Sequence, residues 1–391
     1  MTDSANNKPF IAIACGGTGG HLFPGLAVAE ELQKRGCAVA LLISPKEVDQ
    51  QAVKSAHGPE IFTLPAVGLQ NRNYFSFARS FWQSWRASSK FFKQRKPDAV
   101  LAMGGFTSAP PVLAGNTFGA KTFLHESNTI PGKANRFLAR FVDQAFVGFP
   151  EAGSRLKACK VTTTGTPVRP QFQPRDAAKC RIALGLDPNR PVILVMGGSQ
   201  GASGLNNMVL SALPLLAGKN WQWLHLTGTS DFEKLKQAYV ARDLNAMVKP
   251  FLAEMDLALG AATISVSRSG ASSLAEIAAM RLPSLLVPYP TAADDHQFTN
   301  ASAFEKTGAA KVMEQKNSTP EKIAALLIEL VEMEAVRTTI QAALAQWQAP
   351  KAAEQIAEII LQAIVQPENA TRPKAKKCGC GHAHGSAKHA H

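Results

Sequence analysis

From Ser267 to Glu276 the chain reads Ser-Arg-Ser-Gly-Ala-Ser-Ser-Leu-Ala-Glu, gathering a cation, several hydroxyls and one carboxylate in a single stretch. The apolar run Ala261–Val266 precedes it and Ile277–Met280 follows, so a strand, a turn of small residues and a helix start meet there. First-turn amides of a helix are unpaired and sit at the positive end of its dipole, which is the chemistry of phosphate binding. Glu276 would then accept a hydroxyl of the sugar attached to that phosphate. The same residues also spell a capping box, Ser273 paired with Glu276, which serves only the helix. Both readings stand at this point.

Three further glycine turns follow strand-like runs. Phe10–Ala14 leads into Gly16-Gly17-Thr18-Gly19-Gly20-His21, where glycines allow close backbone approach to a ligand. The dinucleotide fingerprint fails, because Leu22 takes its third glycine position, and the P-loop fails for lack of Gly-Lys-Ser/Thr. No nicotinamide cofactor or ATP is signalled. His21 would stand at a helix start facing a cleft, its pKa depressed by the positive helix end, as a general base or as a structural histidine. Pro191–Met196 leads into Gly197–Gly204, where Ser199 can donate to a phosphate oxygen within a nest of amides. Met103–Ser108 carries the remaining turn. In Tyr289–Ala301 the side chains of Asp295, Gln297 and Asn300 would hold sugar hydroxyls, or the segment is a plain capped loop.

These turns need a scaffold, and the alternation of apolar runs supplies one. Runs at Val39–Ile43, Ala99–Met103, Thr122–His125 and Gln144–Val147 follow the first strand, with a helix from Leu26 to Lys34. After Thr166–Pro170 the pattern restarts with Pro191–Met196, Trp223–Thr227, Met247–Phe251, Thr263–Val266 and Ser284–Val287. Such βαβ alternation predicts two doubly wound parallel α/β lobes facing across a cleft. We divide the chain into residues 8–165, residues 166–345, a helix at 350–365 packing back on the lobes, and a tail at 366–391. The tail is read as disordered. Its Cys378-Gly379-Cys380-Gly381-His382-Ala383-His384 would take a soft or borderline metal, although the spacing matches no standard zinc site.

The 391 residues carry a net charge of +13, and Arg372, Lys374, Lys376, Lys377 and Lys388 of the tail supply five of those positives. The body remains basic and favours an anionic partner. No apolar run is long enough to span a membrane, and no apolar leader follows a basic cluster at the N-terminus, so no secretory signal is expected. Cys15, Cys37, Cys159 and Cys180 are scattered and read as buried thiols.

Seven motifs occur in order: Gly16–His21, Met103–Phe106, His125–Asn128, Gly165–Arg169, Gly197–Gly201, Arg268–Ser272 and Asp295–Gln297. Together, over residues 8–365, the chain resembles the MurG family of peripheral-membrane N-acetylglucosaminyltransferases. The resemblance implies the two-lobed GT-B fold and inverting transfer of N-acetylglucosamine from UDP-N-acetylglucosamine to the C4 hydroxyl of the muramyl sugar of lipid I, forming lipid II in peptidoglycan synthesis. It places Thr18, Gly19, Gly20 and Asn128 by the donor sugar, and brings Arg169 and Ser199 to the donor. Leu252, the run Ala271, Ser272, Ser273, Leu274, Ala275, Glu276, and Gln297 would hold uridine, ribose and sugar. His21 is the implied candidate base. Gly104, Gly105, His125 and Glu126 would fall on the acceptor side. Ser127 stands where the family commonly has Gln. A field from helix ends and Arg169 would stabilise the leaving UDP, and no cofactor or nucleotide-bound metal is expected. The implied location is the cytoplasmic face of the bacterial inner membrane, with other cell-wall synthesis proteins as further partners.

From Gln70 to Lys96 no acidic residue occurs, while Arg72, Arg79, Arg86, Lys90, Lys93, Arg95 and Lys96 interleave with aromatics. Phe77, Phe81, Trp85 and Phe92, spaced along one helical face with Trp82 beside them, read as an interfacial element on an anionic membrane, or as the core face of the helix. No nucleic-acid partner is expected, although such a partner would use the same cations. Other enzyme readings are a UDP-N-acetylglucosamine 2-epimerase and a different lipid glycosyltransferase. The non-enzyme reading is a nucleotide-sugar or nucleic-acid binding protein.

Overall fold

The computed structural model describes residues 8–17, 19–46, 49–50, 53, 58–65, 74–157, 160–198 and 201–365. In β1 (Phe10–Ala14) every residue is buried. Successive side chains of a strand point to opposite faces. Ile11 and Ile13 therefore join one core, while Phe10, Ala12 and Ala14 join another on the far face. With β2 (Ala38–Ile43), β3 (Glu60–Thr63), β4 (Ala99–Ala102), β5 (Lys121–Glu126), β6 (Gln144–Val147) and β7 (Lys160–Thr163) it forms a parallel sheet in the order β3-β2-β1-β4-β5-β6-β7. A second parallel sheet, β10-β9-β8-β11-β12-β13, is built from β8 (Val192–Met196), β9 (Gln222–Leu226), β10 (Ala246–Lys249), β11 (Ile264–Ser267), β12 (Ser284–Leu286) and β13 (Lys311–Val312).

The helices around the site are α1 (Gly19–Lys34), α2 (Tyr74–Gln94), α3 (Ala109–Thr117), α4 (Lys133–Leu138), α5 (Ser203–Ala212), α6 (Phe232–Val240), α7 (Ala271–Met280), α8 (His296–Lys306) and α9 (Ala352–Val365). The helix expected from Leu26 begins at Gly19 and contains Pro24. Three strands escaped the sequence reading, namely β3, β7 and β13. All are edge strands of their sheets and largely unburied, so they show no continuous apolar run.

Each sheet reverses direction once, between β1 and β4 and between β8 and β11. Ligands of open α/β sheets bind outside the strand ends at such switch points. All four glycine-containing turns named above leave from these four strands. After Thr164 the chain passes to the second lobe and later returns, because α9 packs on α1. Ile356, Ala357 and Ile360 are buried with Ile11, Ile13, Leu22 and Leu26 in the first lobe's core. The outgoing and returning segments touch, since a Cβ on Gly165 would lie 2.2 Å from that of Ala349.

Candidate active site

The turn after β1 is pinned from behind. Buried Asp49 accepts hydrogen bonds through one carboxylate oxygen from the Gly17 amide (2.7 Å), the Ser44 amide (3.2 Å) and the Ser44 hydroxyl. Thr107, from the turn after β4, donates to the Gly16 carbonyl at 2.6 Å, so the two turns are fastened together. Close helix–strand packing, the task of the third glycine in a dinucleotide fingerprint, falls here to Gly25. A Cβ there would come within 2.8 Å of Cys15.

His21 lies in the first turn of α1 with its ring against Gly104 and Gly105. A Cβ on Gly104 would stand 2.9 Å from Nε2, so it would displace the ring, and one on Gly105 would press on Cε1 at 3.3 Å. Both residues also have positive φ, +119° and +76°. Burial is the main cause that pushes the His21 pKa down to about 4, with Lys46 and His296 adding to the fall and Asp49 opposing it. The depression expected from the helix end therefore has a different principal source. The ring is uncharged at neutral pH, the form that a general base requires.

His125 and Glu126 do not present themselves to a ligand. His125 is sealed, its Nε2 3.0 Å from the Gly165 carbonyl and its Nδ1 3.2 Å from the Ser127 hydroxyl, and burial lowers its pKa to about 4. Glu126, also buried, accepts from the Asn128 amide and side chain (2.8 and 3.0 Å) and from Gly132 and Asn135 (both 2.9 Å). It shapes the loop that carries Asn128. That loop reaches the other lobe. Asn300 Oδ1 accepts from the Thr129 amide and hydroxyl at 3.0 Å, and its Nδ2 donates to Asn128 Oδ1 (3.0 Å) and the Ser269 carbonyl (3.2 Å). Asn300, expected to hold sugar hydroxyls, is fully buried and spent on joining the lobes in this conformation. Thr129 gave no signal in the sequence. Nearby, Arg136 pairs with Asp294 at 2.7 Å across the same gap, and both Asp294 and Asp295 take left-handed backbone conformations.

The turn after β11 decides between the two readings of Ser273 and Glu276. The N-cap of α7 is Gly270, and it makes no side-chain capping bond. Ser273 therefore lies inside the helix and no capping box forms. Ala271 and Leu274 turn into the second lobe's core, and with Ala275 they line a small cavity between the lobes beside Gly165 and Trp347. Ser272 and Glu276, one turn apart, share the opposite face. Ser272 donates to the Gly20 carbonyl of α1 at 2.8 Å. That carbonyl is available because the residue four positions on is Pro24, which has no N–H to give it. Glu276 is raised to about 7, chiefly by burial, with Arg169 opposing. Arg169 in turn lies over the rings of Phe23 (4.6 Å) and Phe172 (5.1 Å), and its buried Nε has no hydrogen-bond partner. A largely buried carboxyl beside a guanidinium with one unpaired buried N–H suits a polar ligand.

Arg268 points elsewhere. It is buried and donates to the carbonyls of Val287 and Pro288 at 3.0 Å and to Gln315 at 2.9 Å, which fixes the segment after β12. Gln297 Oε1 accepts from the Tyr289 amide at 3.0 Å, and its carbonyl accepts from the Ser269 hydroxyl at 2.8 Å. Leu252 is half-buried against the second core. Thr18, Ser199, Cys159 and the tail with its Cys/His cluster lie outside the described residues; Cys15, Cys37 and Cys180 are buried free thiols. Among the described residues, no group of three or more His, Cys, Asp or Glu is arranged to hold a metal ion.

The aromatic stripe of α2 divides differently from its reading as an anchor. Phe92 is fully buried, and Phe81 and Trp85 pack against the first lobe's core. Phe77 meets Phe106 edge-on at 5.4 Å. The outer face instead carries Phe75, 85% exposed, and Trp82, 53% exposed, with Arg86 over the Trp82 ring at 4.7 Å. Arg79, Lys90 and Lys93 continue the same face at helical spacing and are exposed. Among the described residues, no helix is long and apolar enough to cross a membrane.

Residues 11–147 match the glycosyltransferase family 28 N-terminal domain and residues 192–356 its C-terminal domain. The chain is 35% identical over 362 residues to the UDP-N-acetylglucosamine--N-acetylmuramyl-(pentapeptide) pyrophosphoryl-undecaprenol N-acetylglucosamine transferase of Anaeromyxobacter sp. (strain K), covering 90% of this chain and 92% of that one. The crystal structure of Acinetobacter baumannii MurG is similar to it with a TM-score of 0.72 at 28% identity, covering 91% of this chain and 99% of the other. The chain belongs to the MurG family. Its fold is the GT-B glycosyltransferase fold, two parallel α/β lobes. A crystal structure of UDP-N-acetylglucosamine 2-epimerase has a TM-score of 0.67 at 14% identity, covering 91% of this chain and 96% of that one. That likeness concerns the fold alone, so membership of the MurG family rests on the sequence matches and not on the scaffold.

Proposed function

We propose that the chain transfers N-acetylglucosamine from UDP-N-acetylglucosamine to the C4 hydroxyl of the muramyl sugar of lipid I, with inversion, giving lipid II. The observation that carries this reading is the placement of His21 on the turn after β1 and of Glu276, with Arg169 acting on it, on the helix after β11, each at the switch point of its sheet. The relatives named as N-acetylglucosamine transferases supply the substrate class. Glu276 accepts hydroxyls of the ribose. Arg169 and the amides of the turns after β8 and β11 stabilise charge on the departing diphosphate. His21, unprotonated, takes the proton of the attacking hydroxyl, and the arriving diphosphate raises its basicity by bringing negative charge into the cleft. Contacts such as Ser272 to Gly20 close the lobes and exclude water.

We further propose that the outer face of α2 docks on the anionic inner surface of the bacterial membrane, where the acceptor lipid resides. Support comes from its basic residues with Phe75 and Trp82 between them. Each cation near anionic lipid contributes about 1 kcal/mol.

UDP release from UDP-N-acetylglucosamine, measured with and without a soluble lipid I analogue and with and without chelator, tests the reading. Acceptor-dependent release is expected, and release that survives chelation supports chemistry without a bound metal. Conversion of the donor alone, with no acceptor requirement, overturns the transferase assignment in favour of epimerisation.

A further inference from the structure

Behind the glycine turn of the second lobe lies a buried polar chain that the chemistry above does not use. His225, on β9, is fully buried between Tyr239 of α6 and Asn206 of α5. Its Nδ1 is 3.0 Å from the Tyr239 hydroxyl and its Nε2 is 3.1 Å from Asn206 Oδ1. The Asn206 amide nitrogen donates to the Thr227 carbonyl at 2.9 Å and to Asp231 Oδ2 at 2.8 Å. Asp231 also accepts from Ser203, the first residue of α5.

Only one proton arrangement satisfies all of these contacts. Asn206 Nδ2 is used as a donor twice, so Oδ1 must accept, and His225 must carry its proton on Nε2. Nδ1 is then an acceptor and the Tyr239 O–H donates to it. Every polar atom in the chain is paired, so burial costs little, and the bonds run in one direction from Tyr239 to Asp231. A protonated imidazole would break this order by setting a second N–H against the Tyr239 hydroxyl. Burial holds the ring neutral, with a pKa of about 3.

The network sits directly under the turn it would serve. A Cβ on Gly201 would lie 2.6 Å from the Thr227 carbonyl and 2.9 Å from Gly228 Cα, so the turn rests on the backbone that Asn206 holds. Asn206 itself is in the first turn of α5, and its amide donates to the Ala202 carbonyl at 2.9 Å. We propose that His225 is a positioning residue that, through Asn206, Thr227 and Asp231, fixes the Gly201–Ser203 backbone in the shape that receives the diphosphate of the donor nucleotide. The proposal rests on the reading of that turn as part of the donor site.

The test uses His225→Leu, which removes both ring nitrogens, His225→Gln, whose amide restores a donor near the Nε2 position, and Tyr239→Phe, which removes a single hydroxyl. UDP affinity, the KM values for donor and acceptor, kcat at saturating donor, and hydrogen exchange of amides 201–204 are compared with wild type in the full chain. His225→Leu is expected to weaken UDP binding and raise the donor KM about tenfold, leave the acceptor KM unchanged, lower kcat at saturating donor by a smaller factor because the same amides face the departing diphosphate, and speed exchange across the turn. His225→Gln should recover most of the loss. Tyr239→Phe should shift the same quantities in the same direction by a smaller factor, and it carries the test if His225→Leu does not fold. Folded variants with wild-type UDP affinity, or losses spread equally over donor and acceptor, overturn the positioning role. A wild-type chain that binds no UDP overturns the donor-site reading instead.

Discussion

The substitution Glu276→Gln should make the protein more stable and a poorer enzyme, with a pH dependence that identifies the cause. Burial raises this carboxyl from an ordinary 4.5 to about 7. Its ionised form is thus disfavoured by about 3 kcal/mol relative to the unfolded chain, at about 1.4 kcal/mol per tenfold change in proton affinity. Between the two values the folded state holds a proton that the unfolded state has lost, so stability falls as pH rises through this window and levels off above it. A neutral amide in place of the carboxyl would carry no such penalty. The stability of the variant relative to wild type should therefore be near zero at about pH 4 and reach about 2 to 3 kcal/mol at about pH 8. Urea unfolding across that range measures it. Donor affinity should move the other way, because a hydrogen bond to a charged acceptor is worth about 1.5 to 3 kcal/mol, so the donor KM rises roughly ten- to a hundredfold. A stability difference that does not vary with pH, or an unaltered donor KM, would refute the reasoning.

His21→Ala should preserve UDP affinity and lower turnover by roughly a hundredfold or more, read in the UDP-release assay; near-normal turnover removes His21 from the mechanism. Gly104→Ala should reproduce that turnover loss without touching His21, since the new methyl meets the imidazole at 2.9 Å and φ is +119°, and it should destabilise the first lobe by about 1 to 3 kcal/mol in urea. Phe75→Ser with Trp82→Ser should cut cosedimentation with anionic vesicles and leave soluble-acceptor turnover intact, and unchanged sedimentation would sink the docking face.

The sequence disclosed the fold well where burial is complete. Phe10–Ala14 and Gln144–Val147 appear as read, and the other central strands of both sheets differ by a residue or two, because a strand covered on both faces must be apolar throughout. It disclosed the glycine turns as turns, since their composition is local. What it hid depends on partners distant in the chain. Glu126 and Asn300 look like ligand-facing polar residues in a motif, yet both are spent on protein atoms, Asn300 on a loop 171 residues away. Asp49 gave no local cue at all. The aromatic residues of α2 were found, but which of them face outward is set by where α3 and the first sheet lie. Pro24 was a legible signal left unused. A proline in the sixth position of a helix frees a carbonyl one turn back, and something must bond it.

The path of the chain between the lobes has a consequence for how the molecule is made. Because Ile356 and Ile360 are fully buried in the first lobe, that lobe is the first to be synthesised and the last to be finished. Until α9 leaves the ribosome, Leu22 and Leu26 of α1 lack the apolar cover that α9 gives them. The second lobe lies between these two events in the order of synthesis, so completion of the first core waits for the whole chain to emerge. With Gly165 and Ala349 side by side, the finished molecule is joined by two adjacent strands of chain. A single cleavage in the Thr166–Pro170 segment would therefore leave the halves tethered, and a rotation about this paired crossing would open the cleft without drawing α9 from its seat.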